Sequence, residues 1–186
     1  LFMKIIETGM PGLLILEPRV FEDSRGYFFE SYNVKTWQEH GIEQDFVQDN
    51  QSKSNYGVVR GLHYQLAPYS QTKMVRVLHG EVLDVAVDIR QGSPTFGECY
   101  SIILSAENKK QLLIPKGFAH GFSVISESAI FYYKCDEVYH PEAERGILYK
   151  DSKLAIDWMI PKQHRIISDK DEIHPVLTEA EMNFRF

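Results

Sequence analysis

Two histidines are placed where a proton could be moved. His63 lies in Arg60-Gly61-Leu62-His63-Tyr64-Gln65, and His120 in Ile114-Pro115-Lys116-Gly117-Phe118-Ala119-His120-Gly121-Phe122. Imidazole is the side chain whose ordinary titration range spans neutrality, so a histidine facing a cavity is a ready general base. The apolar flanks of the first segment read as a strand. From there His63 and Arg60 reach either a barrel interior or a hydrogen-bonded place in the core. The second segment reads as a tight Pro-x-Gly turn that delivers His120 near the start of a strand. Lys73, Asp84 and Asp88 lie in or beside the most regularly alternating stretch, 74–89. Alternation puts Asp84, Ala86 and Asp88 on one face and Leu83, Val85, Val87 and Ile89 on the other. The aspartate face is either solvated or lines a polar interior, and alternation alone does not choose. A transition metal wants three or four converging N, O or S ligands. Two histidines without a carboxylate at a motif position fall short of that, so no metal is expected and proton transfer is the chemistry the pair suits.

The elements that must position these residues are strands. Residues 74–89 read as a hairpin about His79-Gly80. Further β-rich runs lie at 13–17, 58–64, 99–104, 111–114, 121–125 and 129–134, separated by turn signals such as Gly92-Ser93-Pro94 and Pro115-Lys116-Gly117. Short strands at such spacing predict an all-β sandwich or barrel, and the lack of alternating βα units argues against a parallel α/β layout. One helix is predicted near 33–40, capped by Asn33 and ended by Gly41. A short helical turn is expected near 151–155. From about residue 161 the tail reads as irregular, too short for its own core and therefore packed on the barrel, so the 186 residues are expected to form one domain.

Composition narrows the classes. Apolar residues are 44% and charged residues 25%, as in globular chains rather than disordered ones. The net charge of −6 speaks against a nucleic-acid surface, though local basic clusters can still take a small anion. No apolar run is long enough to span a membrane, and no secretory signal is recognised. Leu1-Phe2 ahead of Met3 are read as a vector remnant. Cys99 and Cys135 form no CxxC and are expected to be reduced, buried thiols in a cytoplasmic protein.

Pro115-x-Gly117-x-x-His120 resembles the second motif of the cupins, small jelly-roll barrels. The earlier cupin motif, His-x-His with a Glu, is represented only by His63-Tyr64-Gln65. A longer set of motifs resembles one family: Phe21-x-Asp23-x-Arg25-Gly26, Phe29-Glu30-Ser31-Tyr32, Val47-Gln48-Asp49-Asn50, Arg60-Gly61-Leu62-His63-Tyr64-Gln65, Gly80-Glu81-Val82 through Asp84-Val85-Ala86-Val87-Asp88-Ile89-Arg90, Ser93-Pro94-Thr95-Phe96-Gly97, the His120 segment, Tyr139-x-Pro141-Glu142 and Ser168-Asp169-Lys170-Asp171. Together they resemble dTDP-4-dehydrorhamnose 3,5-epimerase over about residues 11–175. One departure is Gly146-Ile147-Leu148-Tyr149-Lys150-Asp151, where the family often has Trp-x-Asp.

The resemblance implies a cupin-type jelly roll with a short N-terminal helix, acting as a homodimer without cofactor or metal in dTDP-L-rhamnose biosynthesis. The implied substrate is dTDP-4-dehydro-6-deoxy-D-glucose, whose C4 ketone acidifies the protons on C3 and C5. It further implies that His63 is the base and that Asp171 orients it, with Asp169 ranked second. Tyr133 matches the proton donor, with Tyr139 in reserve or as a stacking surface. Lys73 matches the cation at the carbonyl oxygen. Arg25, Arg60 and Lys170 match contacts suited to the diphosphate. Glu30, Gln48, Asp49, Asn50, His120 and Glu144 match other substrate contacts. Part of the nucleotide pocket is expected from the partner subunit through the N-terminal strands. Near relatives invert one carbon only or act on related 4-keto sugars, and the motifs do not separate these outcomes.

Overall fold

The computed structural model describes residues 3–186; Leu1 and Phe2, read as a vector remnant, lie outside the described residues. The chain begins with the hairpin of β1 (Met3–Glu7) and β2 (Leu14–Pro18), then a small ribbon of β3 (Phe21–Asp23) and β4 (Gly26–Phe28). Helix α1 (Val34–Gln38) follows, and the Asn33 side chain accepts from the Lys35 and Thr36 N–H groups as the predicted cap. Next come β5 (Gln48–Asn55), β6 (Val59–Gln65), β7 (Lys73–His79), β8 (Glu81–Asp88), β9 (Cys99–Ser105), β10 (Gln111–Ile114), β11 (Phe118–Val124), β12 (Ser128–Cys135) and β13 (Glu144–Gly146). The tail carries one further α-helical turn, α2 (Asp169–Glu172).

Two antiparallel sheets face each other in the jelly-roll manner. One has the order β1-β2-β10-β7-β12-β5, the other β13-β6-β11-β8-β9. Val75, Val77, Val82, Ala86, Leu112, Phe122 and Phe131 fill the space between them. A second apolar layer lies outside the five-stranded sheet, where Leu62, Leu83, Val85 and Val87 are covered by Trp158, Leu177 and Phe184 of the tail. A third layer packs Trp37 and Ile42 against Leu16, Met74 and Leu113. Because β8 is covered on both sides, seven of its eight residues are buried.

The structure corrects the expected hairpin at His79-Gly80. β7 and β8 belong to different sheets, and the dipeptide is the corner between them. Alternation fixes which side chains share a face but not which strand is the neighbour, and a corner needs the same backbone as a hairpin turn. Gly80 has φ +75°, and a Cβ there would fall 2.0 Å from the Ser128 carbonyl oxygen. Near 151–155 the expected turn is a single one, closed by the Ala155 N–H on the Asp151 carbonyl.

The aspartate face of β8 turns inward. Asp84 and Asp88 are both fully buried. Asp88 accepts from the Arg90 guanidinium and from the Ser93 and Thr95 hydroxyls, which ties the strand end to the following turn. Its burial alone would raise the carboxyl pKa; these hydrogen bonds outweigh it and hold the group below the usual carboxylate range.

Candidate active site

Two adjoining cavities, of about 340 and 290 Å³, open between the sheets and share Asn50, His63, Lys73 and Tyr133. Gln48, Tyr139 and Glu144 line the first; Arg60 and His120 line the second. His63 comes from β6 in the five-stranded sheet. Tyr133 comes from β12 and Lys73 from β7, both in the six-stranded sheet. The two sheets therefore bring a base candidate and an acid candidate to one cavity from opposite walls.

His63 and His120 are direct partners in the β6–β11 ladder. That pairing needs an unusually close backbone approach. Gly61 has φ +120°, and a Cβ there would lie 2.6 Å from the Gly121 Cα. Next to it, the Gly61 N–H donates to Asp171 Oδ2 at 3.2 Å, while Asp171 Oδ1 stands 2.6 Å from His63 Nε2. With Nε2 so engaged, Nδ1 is the ring nitrogen left for a substrate proton. Asp171 reaches this place because Ser168 caps α2, its Oγ accepting the Asp171 N–H. In this helical turn Asp169 is exposed and Asp171 is buried, so Asp169, ranked second, does not reach His63. Burial works to raise the Asp171 pKa, but the hydrogen bond and charge of His63 and the Gly61 N–H outweigh it and keep the carboxylate ionised below its usual range.

His120 is held by the fully buried Asp84, at 2.9 and 3.1 Å from its two oxygens. Burial pushes the Tyr133 phenol up to about 12, so it keeps its proton throughout the neutral and mildly alkaline range. The Lys73 Nζ stands 5.8 Å from the Tyr133 ring centre, and burial lowers its pKa. At the rim, Glu144 Oε2 accepts from the Tyr139 hydroxyl and from Lys170. Gln48 accepts the Tyr139 N–H and donates to Asn50, which fixes the Tyr139 loop over the cavity. Arg60 donates to Ser54 Oγ beside the inner cavity.

Three sequence-predicted residues stand apart from these walls. Asp49 follows the β5 alternation to the opposite face from Gln48 and Asn50, where it accepts from Tyr132 and Lys134. Glu30 accepts from Asn33 and Thr36 at the start of α1. Arg25 lies in the β3–β4 ribbon, its side chain 87% exposed and paired with Asp23. Cation chemistry at the cupin position does not fit the residues present. Gln65, where a ligand would stand, spends its amide on the Tyr69 and Val138 carbonyls and the His140 N–H. Gln71 and His174 are among the lining or neighbouring groups not singled out from the sequence. Gln71 is held by the Glu137 carbonyl, and His174 lies against Asp171. Only the i, i+3 spacing of Asp171 and His174 hinted at the latter.

Among the described residues no helix is long and apolar enough to cross a membrane. A family model for dTDP-4-dehydrorhamnose 3,5-epimerase matches residues 7–179. The dTDP-4-dehydrorhamnose 3,5-epimerase of Shigella flexneri is 56% identical over 170 residues, covering 91% of this chain and 93% of the relative. The crystal structure of dTDP-6-deoxy-D-glucose-3,5-epimerase from Legionella pneumophila, in complex with dTDP-4-keto-L-rhamnose, superposes with a TM-score of 0.94 at 51% identity, covering 99% and 98% of the two chains. The Elizabethkingia anophelis dTDP-4-dehydrorhamnose 3,5-epimerase gives a TM-score of 0.92 at 52% identity over 96% and 98%. With most of its length matched by the family and its cavity walls built from the family's motif residues, the chain belongs to the dTDP-4-dehydrorhamnose 3,5-epimerases, enzymes of the cupin-like β fold.

Proposed function

We propose that this enzyme inverts C3 and C5 of dTDP-4-dehydro-6-deoxy-D-glucose to give dTDP-4-dehydro-L-rhamnose. The observation that carries the reading is that His63 and Tyr133 enter one cavity from opposite sheets. A hexose ring lying between the sheets presents one face to each. His63 removes the proton flanking the C4 ketone, and Asp171 stabilises the imidazolium that forms. Lys73 offsets the charge that develops on the enolate oxygen. Tyr133 returns a proton to the opposite face; solvent then reprotonates Tyr133 and takes the abstracted proton from the His63 imidazolium. The cycle repeats at the second carbon after the ring turns over. No cofactor or metal takes part, and full activity is expected after exhaustive chelation.

Arg60 and Lys170 stand on the walls and rim where the diphosphate can reach, and a guanidinium suits phosphate oxygens. The exposed Arg25 and the ribbon that carries it reach the nucleotide pocket of a second copy, so the working unit is a homodimer. Two free cysteines accord with a cytoplasmic enzyme. Solvent deuterium read by NMR tests the reaction. Label at both C3 and C5 with net inversion is expected. Label at one carbon alone makes this a single-site epimerase, and no label removes the epimerase reading.

A further inference from the structure

His174 is an imidazole beside the His63–Asp171 pair that the proton-transfer cycle does not use. Its ring is pressed against Gly146, the β13 partner of His63 in the ladder; a Cβ at Gly146 would meet three of its ring atoms at 2.4, 2.5 and 2.6 Å. The rings of His63 and His174 stand edge to face, with centres 5.7 Å apart. His174 Nε2 lies 3.4 Å from Asp171 Oδ1, and it is buried without a hydrogen-bond partner. Buried polar atoms are rarely left so. His63 Nε2 lies 2.6 Å from the same oxygen, and the three ligand atoms fall within 4.8 Å of one another.

We infer that His63, Asp171 and His174 form a site for one divalent transition cation, of the class of Zn²⁺ or Co²⁺, whose binding switches the enzyme off. Two imidazoles and a carboxylate select such ions over Mg²⁺ or Ca²⁺. Donors on one tetrahedral ion with bonds of ~2.0–2.1 Å stand roughly 3.4 Å apart. The Asp171–His174 separation already matches, and His63 need withdraw from Asp171 by only roughly 0.8 Å. The ion takes the place of the proton shared by His63 and Asp171. The neutral ring keeps that proton by moving it from Nε2 to Nδ1, which closes the nitrogen a substrate would use, and any second ring proton must leave to solvent, so binding weakens as pH falls. Arg60 and Lys170, the cations lining the cavity behind this pair, are engaged elsewhere, on Ser54 and Glu144. A cavity of about 430 Å³, lined by Ser168 and Asp171 on the tail side, leaves room for waters to complete the coordination. The site is separate from the cupin position, where Gln65 stands. Inhibition rests on the reading of His63 as the base; binding does not.

Co²⁺ is the probe, because its visible absorption reports the ligand set without reference to turnover. Titrating metal-stripped protein should give one tightly bound Co²⁺ per chain, with epimerisation falling in step. His174→Asn should weaken Co²⁺ binding at least about tenfold. Gly146→Ala, which displaces the His174 ring while keeping all three ligands, should weaken it as well. No binding to the parent, or equal affinity in His174→Asn, would overturn the site. Co²⁺ bound with undiminished epimerisation would leave the site standing and overturn His63 as the base.

Discussion

His63–Asp171 and His120–Asp84 are the same two functional groups held in opposite ways. The second pair is built within the five-stranded sheet, by β11 and its neighbour β8. Its histidine side chain is 9% exposed and its carboxylate fully buried. In the first pair the histidine side chain is 29% exposed and only the carboxylate is sealed. That carboxylate arrives from 108 residues away, on a single helical turn of the tail. A sealed pair fixed by two neighbouring strands has little freedom to exchange a proton with a ligand. A pair open on the imidazole side and anchored from behind can do so repeatedly. A buried carboxylate holds both histidines in place, and the greater exposure of the His63 side chain leaves its ring open to a ligand, as the proposed base requires.

The largest effects should come from removing each histidine. His63→Ala is expected to lose both solvent exchange and inversion, by ~10²–10⁴ in rate. His120→Ala should act first on stability. It leaves Asp84 buried without its partner, a loss of about 3–5 kcal/mol for a well-sealed pair. Thermal unfolding and deuterium wash-in per folded molecule separate the two. A His120→Ala protein that melts at the parent temperature yet no longer exchanges would reverse the roles of the pairs.

Tyr133→Phe sharpens the comparison at the opposite wall. The ring and its packing stay, and only the phenolic proton goes. His63 can still take a proton and return a solvent-derived one to the same face. Exchange with retention should therefore outlast inversion, with inversion falling by about 10²-fold. Inversion of both centres at the parent rate would move the donor role to Tyr139, which lines the same cavity.

Alternation of apolar residues made most of the strands legible, because a strand with a buried face writes period two into the chain. β5 carries no such signal: Gln48 to Asn55 are all polar, so alternation does not mark the strand that supplies Gln48 and Asn50. Whether Asp84 and Asp88 faced inward was undecided for a related reason. The tail covers the other face of β8, so Leu83, Val85 and Val87 are buried there and the usual contrast between a wet and a dry face is lost. His63, Lys73 and Tyr133 were legible as motif positions, but their meeting is a property of two sheets closing on each other. Asp171 was legible only by resemblance, since nothing local ties a tail residue to β6. Asp49 shows the reverse: it belongs to a recognisable run, yet alternation turns it away from its neighbours.

The smallest expected effect is a shift of the alkaline limb of the pH–rate profile. If His63 is the open base, the opposite wall must keep its acid and its cation charged as needed over the working range. Burial pushes the Tyr133 phenol up to about 12 and lowers the Lys73 ammonium below the ordinary lysine range. A lysine with a lowered pKa is cationic below that value and neutral above it. As pH rises, Lys73 therefore loses its charge before Tyr133 loses its proton, and enolate stabilisation fails first. The neighbouring Cys135 thiol, pushed up to about 11, does not intervene earlier than an ordinary thiol would. kcat should fall along an alkaline limb whose midpoint lies below that of a free lysine. In Lys73→Arg the guanidinium stays charged up to about pH 12, so the limb should move upward toward the range of Tyr133, even though the bulkier fork lowers the plateau. In Tyr133→Phe, followed by solvent exchange, the limb should stay where Lys73 puts it. An unmoved midpoint in Lys73→Arg would assign the limb to another group and remove Lys73 from the enolate oxygen.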